Sequence, residues 1–167
     1  MRLSATDNTG GSGVDKTYYT TDGSTPTTAS PVYTGPFSVS GTTTVQFFST
    51  DLAGNQEQVK SQLIRIDQAA PTVTLTRPQA GASFKKGSKV MVAADTADLG
   101  SGSAASGVAS VTFYVDGTAV LGTVSVSPYQ LSWNTGSVPR GIHTLTAVAR
   151  DVAGNSSTSA AVAVKIT

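Results

Sequence analysis

The 167 residues of this chain are enough for one large domain or two small ones, each with a modest core. Only 13% of the residues are charged and the formal net charge is +1, so neither a nucleic-acid surface nor an anionic-membrane surface is indicated. The absence of cysteine excludes disulfides and thiolate metal sites. No apolar stretch approaches the ~20 residues that would insert across a bilayer.

Strands are predicted from alternating apolar residues flanked by turn residues. In chain order they fall at 41–51 and 61–67 in the first half, and at 71–76, 89–95, 111–115, 143–151 and 160–166 in the second. The dipeptide Asp116-Gly117 strongly predicts a hairpin turn. No window of 11 or more residues keeps a helical apolar period, so helices are not expected.

The second half of the chain repeats the first. Residues 41–55, GTTTVQFFSTDLAGN, align without a gap with residues 141–155, GIHTLTAVARDVAGN. A further stretch, 11–23, aligns with 105–117, which indicates a duplicated module. Several short strands at intervals of 8–12 residues predict a β-sandwich for each copy.

We therefore expect an all-β protein of two tandem β-sandwich domains, at residues 1–67 and 68–167. The first domain is expected to lack its opening strand, because RLSATD at 2–7 matches the second strand of the other copy. Such a domain would have an unpaired edge, which favours strand addition. The linker, 66–73, is short and contains Pro71, so a restricted swing between the domains is expected.

Two family resemblances follow from longer stretches. Residues 127–155, SPYQLSWNTGSVPRGIHTLTAVARDVAGN, resemble the bacterial Ig-like domains of secreted and surface proteins. In that family the Ser-Trp pair, the Gly-x-His-Thr-Leu segment and the Asp-x-Ala-Gly-Asn turn recur in this order. Residues 18–37, followed by 41–55, are similar to the chitobiase/β-hexosaminidase C-terminal-type domain.

These resemblances imply that both β-sandwiches are immunoglobulin-like. They also imply a non-catalytic spacer, stalk or adhesion module of a larger secreted or cell-surface bacterial protein. Its partners would then be the neighbouring domains of the parent protein, with a cell-surface or polysaccharide ligand as a further possibility. The alternative that they imply is an accessory carbohydrate-binding module attached to a polysaccharide-degrading enzyme. An extracellular or cell-surface location is expected in both cases.

The repeated phrase, DLAGN at 51–55 and DVAGN at 151–155, allows a structural and a functional interpretation. In the structural one, the aspartate ends a strand on its core-facing side and accepts backbone N–H bonds from the turn that follows. In the functional one, loops at one end of the second sandwich gather carboxylates into a calcium site at the junction of the two domains. The predicted ligands are Asp67, Asp95, Asp98 and Asp151.

A carbohydrate site would need exposed aromatic rings, because ring faces stack on the apolar C–H faces of sugars. The candidates are Tyr18, Tyr33, Phe48 and Tyr129. Phe48 lies out of phase with Val45, which predicts that it points outward.

Trp133 is expected in the core. His143, the sole histidine, lies in phase with Leu145 on a strand and is predicted to be packed rather than to act as a general base. We expect no catalytic residue and no cofactor other than calcium.

Overall fold

The computed structural model describes residues 1–100 and 104–167, and the chain divides into two compact units, Met1–Ile66 and Asp67–Thr167. This division falls one residue before the expected boundary, so Asp67 belongs to the second unit. No helix long and apolar enough to cross a membrane occurs among the described residues.

The first unit is built on one antiparallel sheet of three strands in the order β1-β2-β3. These are β1 (Val14–Thr20), β2 (Thr43–Asp51) and β3 (Lys60–Ile64). β-branched and aromatic residues dominate β1 and β2, and such residues favour strands because they pack well on the pleated surface of a sheet. The buried apolar residues of this unit are Leu3, Tyr18, Val45 and Phe48.

The described residues of the second unit, 67–100 and 104–167, contain nine strands. They are β4 (Thr72–Arg77), β5 (Ser83–Phe84), β6 (Lys89–Ala97), β7 (Val108–Val115), β8 (Ala119–Val124), β9 (Gln130–Asn134), β10 (Gly141–Asp151), β11 (Ser156–Thr158) and β12 (Val162–Ile166). One sheet has the order β4-β6-β9, and the other has the order β5-β12-β10-β7-β8, with β11 alongside β10. A 3-10 turn, Thr135–Ser137, follows β9.

The core of the second unit consists of residues that alternate along strands of both sheets. Leu145, Ala147 and Ala149 on β10 are fully buried, as their spacing predicts. Trp133 on β9 is 3% exposed and belongs to the same core. Both residues of the predicted turn Asp116-Gly117 adopt positive φ, at 51° and 76°, and connect β7 to β8 as a hairpin. The predicted all-β, tandem immunoglobulin-like fold is confirmed.

Candidate functional site

The repeated Asp-x-Ala-Gly-Asn phrase forms the same hydrogen-bonded turn in both units. In the first, the backbone N–H of Asn55 donates to Oδ1 of Asp51 at 2.8 Å, and its side-chain Nδ2 donates to Oδ2 at 2.7 Å. In the second, Asn155 makes the same two bonds to Asp151, both at 2.8 Å. The N–H of Gly154 also donates to Oδ1 of Asp151, at 2.6 Å. The side-chain bond from Asn55 lowers the pKa of Asp51, because it favours the carboxylate form.

A second layer of contacts supports each turn from the loop that leads into the neighbouring strand, which is β1 beside β2 in the first unit and β7 beside β10 in the second. The N–H of Ala53 donates to Oγ of Ser12, and the N–H of Ala153 donates to Oγ of Ser106, both at 3.1 Å. The sequence offered a signal for this pair, because both serines stand in the tripeptide Ser-Gly-Val, at 12–14 and 106–108. Sequence reasoning nevertheless missed these two residues.

A buttressing aspartate completes each copy. In the first unit Oδ2 of Asp7 accepts from the N–H of Gly13 at 2.7 Å, and in the second Oδ2 of Asp98 accepts from the N–H of Gly107 at 2.6 Å. Asp7 and Asp98 therefore hold equivalent positions, each fixing the glycine next to the supporting serine. The repeat is thus a network of contacts and extends beyond the five-residue phrase.

Three of the four predicted metal ligands meet in the second unit. Asp67, Asp98 and Asp151 each bring one carboxylate oxygen within 4.8 Å of the others. Asp151 is buried, whereas Asp67 and Asp98 are half-buried. A bond from Ser106 lowers the pKa of Asp67, so this acid stays ionised beside the other two. Carboxylate oxygens are the ligands that a hard cation such as Ca²⁺ takes, so the donor set fits that ion.

The prediction that Asp95 belongs to this cluster is wrong. Val90, Val92 and Ala94 of β6 are buried, and successive side chains of a strand point to opposite faces. Asp95 therefore points away from the core and is exposed, whereas Asp98 lies beyond the end of the strand, where the loop returns towards Asp151.

The prediction that Tyr18 and Phe48 form an exposed sugar-binding platform is also wrong. Phe48 is fully buried, and Tyr18 is 8% exposed. The two residues lie opposite each other on β2 and β1, and their rings stack with centroids 5.3 Å apart. The alternation placed Phe48 on a solvent face, but both faces of this sheet carry buried side chains, since Val45, of opposite parity, is also fully buried.

The other two sugar-binding candidates are half-buried. Tyr33 makes edge contacts with Tyr19 and Phe37, whose rings stack on each other with centroids 4.6 Å apart. Tyr129 packs against the core of the second unit, and its hydroxyl donates to the carbonyl of Val108 at 3.3 Å. Each ring thus has packing partners within its own unit.

His143 is 5% exposed, and both of its ring nitrogens have oxygen partners. Nδ1 lies 2.7 Å from Oδ2 of Asp116, and Nε2 lies 2.9 Å from the carbonyl of Pro139. The bond to Asp116 and then the bond to Pro139 raise the pKa of His143, because both acceptors favour the imidazolium form. This ion pair was not predicted, although Asp116 was identified as a turn residue. It holds the β7–β8 turn against the start of β10.

The two units match different protein families. The first matches the chitobiase/beta-hexosaminidase C-terminal domain over residues 2–61, and the second matches the bacterial Ig domain over residues 71–147. No curated protein matches the chain.

Among solved structures, the chain is similar to fibronectin(III)-like modules of Clostridium thermocellum CbhA, at 24% identity and a TM-score of 0.49. That match covers 57% of this chain and 94% of the other. It is also similar to a protocadherin gammaB7 EC3-6 structure, at 17% identity and a TM-score of 0.39, covering 100% and 41%. A third is Bacteroides ovatus SGBP-B, at 16% identity and a TM-score of 0.27, covering 93% and 36%. The two family models match in the order that the sequence predicted, with the chitobiase/beta-hexosaminidase C-terminal domain first and the bacterial Ig domain second.

Proposed function

We propose that this chain is a non-catalytic structural spacer or adhesion module of a larger secreted or cell-surface bacterial protein. One observation carries the proposal: the side chains best suited to chemistry are committed to holding turns. Asp51 and Asp151 each bind the backbone of their own turn. His143, the sole histidine, has an oxygen partner at each ring nitrogen. Domains of both matched families serve as modules beside other domains, which supports the same role.

Stretching the full chain between two handles in a single-molecule force experiment tests the proposal. A load-bearing spacer resists force one domain at a time, so two separate unfolding steps are expected. Units of 66 and 101 residues, at about 3.5 Å per extended residue, would release roughly 23 nm and 35 nm of chain. Extension of either unit without measurable resistance would contradict a mechanical role. Retention of the chain on insoluble chitin would instead favour the accessory carbohydrate-binding function.

We further propose that Asp67, Asp98 and Asp151 bind a calcium ion that stiffens the second unit. The convergence of three carboxylate oxygens within 4.8 Å supports this role. Three such charges repel one another, and a divalent cation would convert that repulsion into attraction. The ion would tie the segment that begins at Asp67 to the turn at the end of β10.

Thermal unfolding in calcium and in chelator tests the ion. Trp133 is the sole tryptophan and lies in the second unit, so its fluorescence reports that unit. Calcium at 100 times its dissociation constant would add about 2.7 kcal/mol, which raises the midpoint by roughly 10 °C or more. Asp67→Asn should abolish the shift, whereas Asp95→Asn, the matched exposed acid, should preserve it. An equal thermal unfolding midpoint in calcium and in chelator for the unaltered chain would contradict calcium binding at this site.

A further inference from the structure

In the second unit, β4 leaves its sheet before the neighbouring strand ends. β4 pairs with β6 only as far as Arg77, which lies opposite Ala93. After Pro78 the chain crosses to β5, which pairs with β12 in the other sheet. β6 extends back from Ala93 to Lys89, and over this stretch it pairs with β9 on its other side. On the β4 side, residues 89–91 of β6 therefore have no strand partner among the described residues.

The unpaired backbone groups on this side of β6 belong to Lys89 and Met91. The N–H of Ala94 donates to the carbonyl of Tyr129, which leads into β9, at 3.0 Å. Successive residues of a strand direct their N–H and C=O groups to alternate sides, so the odd-numbered residues of β6 face the side that β4 has left. Lys89 and Met91 thus present two N–H and two C=O groups, which is the pattern to which an added strand pairs.

A groove with a volume of about 570 Å³ lies beside these groups. It is lined by residues 76–79 at the end of β4, by Ala82 and Phe84 around β5, and by residues 89–91 of β6. Val90 belongs to the core of the second unit, and Phe84, which is half-buried, packs against that core. The groove therefore offers apolar contact to a side chain that enters it, and burial of that side chain would favour binding.

Four exposed basic residues lie in or next to the segments that line the groove. Arg77 and Lys89 line it, and Lys85 and Lys86 directly follow β5. Within the described part of the chain, none of the four forms a salt bridge. No acidic residue is among the described residues that line the groove. Unpaired positive charges of this kind favour an acidic partner and disfavour a basic one.

We propose that this groove binds an extended acidic peptide, which adds to β6 as a short antiparallel strand. The peptide takes the place along β6 that β4 would occupy if it continued beyond Arg77. Of three consecutive peptide residues opposite Met91, Val90 and Lys89, the middle one shares the core-facing side of Val90, because directly opposite residues lie on one face of a sheet. An apolar side chain at that position enters the groove.

The third of these peptide residues shares the solvent face of Lys89. An acidic side chain there lies beside the ammonium group, and further acidic residues that follow it approach Lys85 and Lys86. The ligand therefore has an apolar residue followed by acidic ones. This inference goes beyond the spacer role and does not depend on it or on calcium.

The experiment titrates the full chain, labelled with 15N and kept in chelator, with the end-blocked peptide Thr-Val-Glu-Val-Glu-Glu, and follows the amide signals by NMR. We expect saturable 1:1 binding with the largest shifts at the amides of Lys89 and Met91, because these N–H groups gain acceptors. A peptide with lysine in place of each glutamate should bind at least tenfold more weakly. N-methylation of the first glutamate removes a ladder donor and should also weaken binding at least tenfold. N-methylation of the first valine, whose N–H faces away from β6, is the matched control and should leave binding within threefold.

Two protein variants test the charge at the groove. Lys89→Glu should weaken binding at least fivefold. Lys165→Glu changes an exposed lysine on β12 and should leave binding within twofold at about 0.15 M salt, where charges more than about 8 Å apart are largely screened. Urea unfolding followed by Trp133 fluorescence verifies that both variants remain folded.

The absence of saturable shifts at Lys89 and Met91 would overturn the proposal. Equal affinity for the glutamate and lysine peptides, or for the two N-methylated peptides, would overturn it as well. Self-association of the chain through the same amides, in competition with the peptide, would assign the groove to a second copy and overturn the assignment to an acidic peptide.

Discussion

Replacing Asp151 with alanine should destabilise the second unit by about 2–3 kcal/mol. Asp151 is 2% exposed and accepts three hydrogen bonds, from the N–H groups of Gly154 and Asn155 and from the Asn155 side chain. A hydrogen bond to a charged group contributes roughly 1.5–3 kcal/mol, and such bonds at one carboxylate are not additive. The released donors lie at an exposed turn and can bind water, so the expected loss is within the range for one such bond and below the sum for three.

Urea unfolding followed by Trp133 fluorescence measures this loss in the second unit. The experiment is run in chelator, so that any bound calcium does not contribute. The matched variant is Asp51→Ala, which removes two bonds from a more exposed carboxylate and should destabilise the first unit less than Asp151→Ala destabilises the second. Amide exchange in β2 measures the loss in the first unit. A loss below about 0.5 kcal/mol for Asp151→Ala would refute the view that the carboxylate holds the turn.

Three further predictions test other parts of the fold. The bonds to Asp116 and Pro139 raise the pKa of His143 above 6.5, so its contribution to the unfolding free energy of the second unit should be complete below pH 6.5 and should be lost as pH rises through the folded-state pKa. His143→Asn should reduce this difference between urea titrations at pH 6 and pH 8. Phe48→Ala should cost roughly 3–5 kcal/mol and abolish amide-exchange protection in β1 and β2. Gly154→Ala, at φ +102°, should destabilise the second unit by about 1–3 kcal/mol, measured by urea unfolding followed with Trp133 fluorescence. An unchanged unfolding midpoint would show that the turn backbone relaxes to accept the alanine.

The alternation of apolar residues predicted the core where a strand has one buried face. On β10 Leu145, Ala147 and Ala149 point inward, and a strand of that kind can be assigned from sequence. The same rule failed at Phe48, because β2 has buried residues on both of its faces, and a period of two then carries no information about exposure. The stacked partner Tyr18 comes from another strand, so only the pairing register reveals it.

The candidate site was predictable to the extent that it is local. The bonds from Asn155 to Asp151 span four residues, and turn chemistry alone suggests them. The exclusion of Asp95 was also available from the sequence, because Val90 and Val92 fix the phase of β6. The partners of His143 lie across a hairpin and a loop, and no local pattern links Asp116 to a residue 27 positions away.

The two units provide an internal control for what the repeated phrase does. Any property of the phrase itself, such as the bond from Asn55 to Asp51, is present in both units. The third carboxylate of the calcium candidate, Asp67, comes from a segment of the second unit that lies outside the phrase and close to the second turn. An aspartate-to-alanine change in the phrase should therefore weaken both turns, whereas Asp67→Asn should change ion dependence in the second unit alone. The repetition thus shows how the turn is built, and we expect any difference in ion dependence between the units to come from the residues around it.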